Sequence, residues 1–332
     1  MPIKRDRKAD QNNKGKHLAI QNGTVNLVLL SDCHISLDNP VARLDNLQEV
    51  QWKKLKYIWD WANNHQAVIL QAGDFVDGPR SWYLLELLHD WFSARCTTQF
   101  MGVRGQHDNY LYTKDLSTTM GILIKTGLIR LLTSEPAEIG YGVADVYGCS
   151  YGEEVPEVED PKAVNILVIH APISDVAPNR NINYMNAKEF LREHKQYDLI
   201  LCGDIHHRFV VKEGNRAIVN AGCLLRRDVS DESGIAPPGF FTCEIGSEGL
   251  GVIAFHPVPH APADQVLTRS HIDSKKESKD ALELFIHSVE KGTSGKSDLI
   301  ENLKDAIRSW DLGSSVKDVL KEYLRRRGKE VK

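Results

Sequence analysis

Through residues 24–256, short apolar runs alternate with longer amphipathic stretches. Val25–Leu30, Ala67–Leu70, Phe100–Val103, Val164–Ile169 and Asp198–Cys202 are nearly continuous in apolar residues, a pattern that predicts short strands buried on both faces. Between them, Leu44–Ala62 places apolar residues near helical spacing and Ser81–Ala94 is rich in Leu and Trp, so both predict helices. This alternation defines an α/β chain. The later segments Arg208–Lys212, Arg216–Asn220, Phe240–Ile245 and Gly251–Phe255 are joined by short turns such as Glu213-Gly214-Asn215, which predicts a second sheet.

The pattern changes after His256. The segment His256-Pro257-Val258-Pro259-His260-Ala261-Pro262 cannot continue a helix or a central strand and predicts a linker over 257–270. Three helical stripes follow: Leu282, Phe285, Ile286 and Val289; Leu299, Ile300, Leu303, Ile307 and Trp310; Val316, Val319, Leu320, Tyr323 and Leu324. They predict a small helical C-terminal extension over 271–332, suited to packing on the body or to docking a partner. Residues 1–20 carry Lys4, Arg5, Arg7, Lys8, Lys14 and Lys16 with little to bury, and predict a flexible basic arm. The main domain is then 21–256. The acidic run Glu153–Asp160 predicts a solvated loop. Trp52, Trp59, Trp61, Trp82 and Trp91 fall on helical segments and are expected in the core.

Composition narrows the class. With 42% hydrophobic and 26% charged residues in 332, the chain is neither a disordered nor a disulfide-framework protein. No apolar run approaches the roughly 20 residues that span a bilayer, so no membrane association is expected. The six cysteines stand singly and read as reduced core residues, which with the polar, basic N-terminal segment predicts a cytoplasmic protein. A net charge of −4 leaves any nucleic-acid binding to local patches.

What each early strand runs into carries the chemistry. The strands end in Ser31-Asp32-Cys33-His34, Gly73-Asp74-Phe75-Val76-Asp77, Gly105-Gln106-His107-Asp108, His170, and Gly203-Asp204-Ile205-His206-His207. Five successive runs each deliver Asp, His or an amide, and the carboxyl ends of strands line the ligand crevice of an α/β sheet. Mixed carboxylate, imidazole and amide donors without a thiolate pattern suit Mn²⁺, Mg²⁺, Fe²⁺ or Zn²⁺. The donors are too many for one tetrahedral ion and enough for two, which about 3.5–4 Å apart clamp a phosphate and activate water. His107 beside Asp108 reads as a general acid or transition-state stabiliser oriented by its carboxylate. Cys33 and Cys202, though inside these loops, are expected to be inert. Arg104, Arg226 and Arg227 flank strand ends, where phosphate contact and surface solvation are both open.

These motifs, over about residues 25–225, resemble the calcineurin-like metallophosphoesterases, whose ordered motifs are D-x-H, G-D-x-x-D, G-N-H-D/E, a solitary His, and G-H-x-H. The resemblance implies a four-layer αββα sandwich of two mixed sheets with two divalent metal ions at the strand ends. It implies that Asp32, His34 and His206 hold the first ion, that Asp74 bridges, and that Gln106, His170 and Asp204 complete the second. His107 would be catalytic with Asp108 as its partner, and Asp77 would stand beside the site without touching a metal. Gln106 replaces the motif's Asn and Asp204 the first His of G-H-x-H. Both keep an oxygen donor, which biases the second site toward Mn²⁺ or Mg²⁺ or else loosens it. His207 is an alternative to His206. The Asp after His107 resembles the nuclease branch typified by the double-strand-break repair exonuclease SbcD. That branch implies a DNA exonuclease that dimerises with itself and works with an SMC-like coiled-coil ATPase. Gly78 stands where the protein phosphatases carry a phosphate-binding Arg. The alternatives are an enzyme for small phosphoesters and a non-catalytic scaffold.

Overall fold

The computed structural model describes residues 23–95, 97–109, 117–158, 164–178, 182–227 and 236–268, with single positions 270, 307, 317 and 321. The chain divides into two units, Met1–Leu267 and Thr268–Lys332. The basic arm expected over 1–20 lies outside the described residues. So does nearly all of the extension expected over 271–332, of which Ile307, Lys317 and Lys321 are helical.

In the first unit the order is β1 (Val25–Leu30), α1 (Leu47–Asn64), β2 (Val68–Ala72), α2 (Trp82–Arg95), β3 (Phe100–Val103), α3 (Thr119–Lys125), β4 (Arg130–Leu131), β5 (Ala137–Ile139), β6 (Ala144–Cys149) and β7 (Val164–His170). Then come β8 (Ile173–Ser174), β9 (Met185–Asn186), α4 (Ala187–Glu193), β10 (Leu199–Gly203), β11 (Phe209–Glu213), β12 (Arg216–Asn220), β13 (Gly239–Gly246), β14 (Gly249–Leu250), β15 (Ala254–Pro257) and α5 (Ala263–Val266). Among the described residues, one sheet runs β14-β13-β1-β2-β3-β4 with β15 on β13, and the other runs β11-β12-β10-β7-β6-β5. Both are mixed. The strands β1, β2, β3 and β4 run parallel, as do β6, β7, β10 and β12, while β13 and β11 are antiparallel to their neighbours.

The two-residue period of a strand builds the layers. Leu27 and Leu29 of β1 and Val68 and Leu70 of β2 face one way and meet Ile166, Val168, Leu199 and Leu201 of the other sheet. Val28, Leu30 and Ile69 face the other way and pack on Leu55, Ile58 and Trp59 of α1 and Leu88 and Phe92 of α2. In the second sheet Leu167, Ile169 and Ile200 turn outward onto Phe190 and Leu191 of α4. Central strands are therefore buried on both faces, which is why they read as unbroken apolar runs. The result is the helix–sheet–sheet–helix sandwich.

At four places the structure adds to the expected pattern or departs from it. The expected second sheet is present, but the late strands divide: β11 and β12 join it, whereas β13 crosses back to pair with β1, Leu27 opposite Cys243. Strand periodicity marks the strands but not the sheet they join. The Pro-rich linker is laid along the body, because β15 ends at Pro257, the Val258 N–H donates to the Pro238 carbonyl at 3.0 Å, and the Val258 side chain enters the core. The acidic loop also packs in part: Pro156 is buried, Val155 and Val158 lie against the outer core, and the Tyr197 hydroxyl donates to the Pro156 carbonyl at 2.7 Å. Its last two residues, Glu159 and Asp160, fall outside the described set. Finally, Trp59 and Trp91 are core residues but Trp82 is 79% exposed at the first position of α2. Among the described residues, no helix is long and apolar enough to cross a membrane.

Candidate metal centre

Because β1, β2 and β3 are parallel and β7 and β10 are parallel, each set delivers its following loops to one edge of its sheet. The two edges meet there. The backbone is bent sharply at this rim: Asp32 (φ 43°), His34 (φ 48°), Asp74 (φ 52°) and Asp204 (φ 95°) all lie in the left-handed region. Strain of this kind persists only where surrounding packing fixes it, and it clusters at functional sites. Close approach is secured by glycine. A Cβ at Gly105 would overlap the Asp74 carboxylate, and one at Gly73 would overlap the His170 ring.

The first donor group is Asp32, His34 and His206, whose ligand atoms lie within 4.8 Å of one another. The His34 N–H of the backbone donates to the Asp74 carbonyl at 2.9 Å, tying the first loop to the second. The His34 and His206 Nε2 atoms face each other at 3.1 Å. Burial, and then His206, hold the His34 imidazole down at about 3, so it presents a lone pair. His207 is directed elsewhere, 3.3 Å from Asp175.

The second group interlocks. The His170 Nδ1 sits 2.6 Å from the Ala72 carbonyl, which fixes the ring and turns Nε2 inward. That Nε2 lies 2.7 Å from Gln106 Oε1, 3.4 Å from Asp74 Oδ2 and 3.9 Å from Asp204 Oδ1. Gln106 Nε2 donates to Asp204 Oδ1 at 2.7 Å, so the two residues that depart from the motif touch each other. Burial acts to lower His170, but the hydrogen bond and charge of Asp74 hold it up at about 10. Burial pushes the Asp32 carboxyl well above the ordinary range.

His107 departs from expectation. Its Nδ1 lies 3.0 Å from Asp77 Oδ1, and Asp77 Oδ2 is gripped by Arg227 at 2.6 Å. Asp77, not Asp108, is therefore its carboxylate partner, and the hydrogen bond to Asp77 raises the His107 imidazole above its ordinary value. Asp108 is fully buried and its oxygens accept from backbone N–H groups, those of Gly105 at 2.9 Å, Val76 at 3.0 Å and Phe75 at 3.3 Å. It clamps two loops together. Adjacency in sequence suggested the wrong pair because neighbouring side chains on a turn diverge. Arg227 also donates to the His34 carbonyl and to Ser36 Oγ, and nothing in the sequence separated it from Arg226. The Cys33 and Cys202 thiols are buried and pushed up by that burial, so they stay protonated.

A model of the calcineurin-like phosphoesterases matches residues 25–208, more than half the chain, and the chain belongs to that family. The family depends on a dinuclear metal centre. Similar solved structures include a 5'-nucleotidase precursor from Thermus thermophilus (13% identity, TM-score 0.42, 72% of this chain and 56% of that one). GAP50, the anchor in the inner membrane complex of Plasmodium, matches at 15% identity and TM-score 0.46, over 74% of this chain and 88% of its own. An archaeal phosphodiesterase matches at 10% identity and TM-score 0.37, over 70% and 100%. The chain thus spans little more than half the length of the nucleotidase. No curated protein matches it.

The donor set fits two divalent cations. Two buried carboxylates, Asp32 and Asp74, stand beside imidazole nitrogens that converge on common points, and positive charge between them offsets the cost of their burial. Asp32, His34 and His206 would hold one ion, Gln106, His170 and Asp204 the other, with Asp74 reaching both sets.

Proposed function

We propose that the chain is a phosphodiesterase, with the end of a DNA strand as substrate and Mn²⁺ as its preferred ion. The observation that carries the diester preference is Arg227. A monoester presents about −1.5 to −2 charges near pH 7 and calls for a free guanidinium fork. Here the guanidinium is committed to Asp77, the His34 carbonyl and Ser36. No Arg stands at position 78, where glycine has open space around it. When bound, the two ions supply a clamp on the phosphate and an activated water. His107, held by Asp77, keeps a proton on Nε2 for the leaving oxygen, and Arg227 keeps Asp77 ionised and fixed. The oxygen-rich second set, Gln106 with Asp204, favours Mn²⁺ over Zn²⁺. DNA, self-dimerisation and an SMC-like ATPase partner come with the resemblance to the nuclease branch. The residue carrying that resemblance, Asp108, serves the loops and not His107, so a small diester is the second reading.

Metal-stripped protein is to be supplied with Mn²⁺, Mg²⁺ or Zn²⁺ and given end-labelled duplex and single-stranded DNA, bis-p-nitrophenyl phosphate and p-nitrophenyl phosphate. Progressive shortening of DNA with Mn²⁺, lost in His107→Ala, is the expected outcome. Cleavage of the diester but not of DNA moves the substrate to small molecules. Preference for the monoester overturns the reading.

A further inference from the structure

Arg226, one residue before Arg227, reaches a different place. It lines a cavity of about 220 Å³ with Arg43, Asp45, Lys53, Lys54 and His260. Three of these cations are buried: Arg43 is 7% exposed, Lys54 2% and Arg226 6%. Asp45 is the one carboxylate among the described lining residues, and Arg43 already holds both its oxygens, at 2.8 and 2.7 Å.

Lys53, largely exposed, lies 3.9 Å from the Glu49 carboxylate, whereas the bonds of Arg226 and Lys54 bring no negative charge. Arg226 donates to the carbonyls of Ala261 and Ala236 at 2.9 and 3.2 Å, and its buried Nε has no partner. Lys54 Nζ donates to the Leu224 carbonyl at 2.8 Å, one acceptor for an ammonium that carries three protons. Burial, then Arg43, press Lys54 down to about 7. Cations buried without a counterion are costly, and carbonyls satisfy their hydrogen bonds without neutralising them.

We propose that this cavity is a binding site for a phosphate-class oxyanion, free or as the end of a small phosphomonoester, held by Arg226, Lys54 and Lys53. The site sits on a loop that also serves catalysis, since the Leu224 N–H donates to the Asp32 carbonyl at 3.2 Å and Arg227 grips Asp77. The rival account is that the three cations only clamp loop carbonyls and need no anion.

The test is calorimetric titration of the metal-free full-length protein, which lacks the ions that would draw phosphate to the catalytic rim. Inorganic phosphate and glycerol 3-phosphate are titrated separately. The Lys53 side chain is 74% exposed, so Lys53→Glu reverses a charge at the cavity without threatening the fold; Arg226→Gln is the second variant. One phosphate per chain, weakened at least tenfold in Lys53→Glu and in Arg226→Gln, is expected. Tighter binding of glycerol 3-phosphate assigns the site to a monoester, and tighter binding of phosphate assigns it to the free ion. No saturable binding of either ligand, or binding unchanged in Lys53→Glu, overturns the proposal and leaves the clamp.

Discussion

At His107 the decisive contact is with Asp77, in the preceding motif and 30 residues away in sequence but 3.0 Å away in space. A carboxylate hydrogen-bonded to Nδ1 favours the imidazolium, so the raised pKa follows from that bond before any other influence. A general acid must be protonated, and activity should therefore fall as pH rises through the His107 pKa. In Asp77→Asn the amide keeps the hydrogen bond but loses the charge. The alkaline limb of kcat should then move to lower pH, with kcat at neutral pH down by about 10- to 100-fold. A pH–rate profile on bis-p-nitrophenyl phosphate checks this, and an unmoved alkaline limb would show that His107 does not act as the acid. Asp108 tests the same logic from the other side. Asp108→Asn turns a donor toward backbone N–H groups that need an acceptor, at a cost of about 1–3 kcal/mol. Its melting temperature should fall while the alkaline limb stays where it is. The residue types at both positions were legible in the sequence, but the pairing was not. Which carboxylate faces a ring is set by turn geometry, and the left-handed φ of Asp74 is invisible to spacing.

Among elements, α1 joins the core to the loops around the site. Its inward face carries Leu47, Leu55, Ile58, Trp59 and Ala62 at helical spacing, and the Asn46 side chain caps it by accepting from the Glu49 N–H. Gln51 and Lys54 interrupt that face, and both are buried. Gln51 is satisfied there by paired bonds to the Ser36 backbone. Lys54 carries a charge into the core and is pressed to about 7 from an ordinary 10.5. Above about pH 7 the depressed lysine gives up its proton in the folded chain while the unfolded chain still binds it. The unfolded state therefore holds more protons between about pH 7 and 10, and stability should rise with pH across that window. Chemical denaturation at pH 7 and pH 9 should show a gain on the order of 2 kcal/mol, abolished in Lys54→Met. Equal slopes in wild type and variant would place the proton linkage elsewhere. Helix α1 and the interior strands were readable because their apolar pattern follows directly from two-sided or one-sided burial. Helices α3 and α4 and strands β5 and β6 were not. They are short, or half polar, and tertiary packing rather than local pattern decides them.

For the whole molecule the centre is a joint between two sheets. Asp32, His34, Asp74 and Gln106 follow strands of the first sheet, whereas His170, Asp204 and His206 end or follow strands of the second. Sequence order alone showed that five strands deliver ligands; that they come from two sheets was implied only by the family resemblance, because strand periodicity does not say which sheet a strand joins. Ions held by both sets would bind only the folded arrangement and would stabilise it by mass action, by roughly 3 kcal/mol at a hundredfold excess over Kd. For a unit of this size that is a rise in melting temperature of about 5–10 °C on adding Mn²⁺ to chelated protein. The rise should depend on Asp74, whose carboxylate lies 3.9 Å from His34 and 3.4 Å from His170 and so spans both sets. In Asp74→Asn the metal-dependent rise should shrink to less than about 2 °C. The metal-free variant itself should melt below metal-free wild type, because against the opposing effect of burial the hydrogen bond and charge of His170 hold the Asp74 carboxyl below its ordinary value, and Asn removes that charge. Differential scanning calorimetry with and without chelator measures all four states. If Mn²⁺ leaves the wild-type melting temperature unchanged, the donors do not form a metal centre, and the two sheets are joined there by side-chain hydrogen bonds alone.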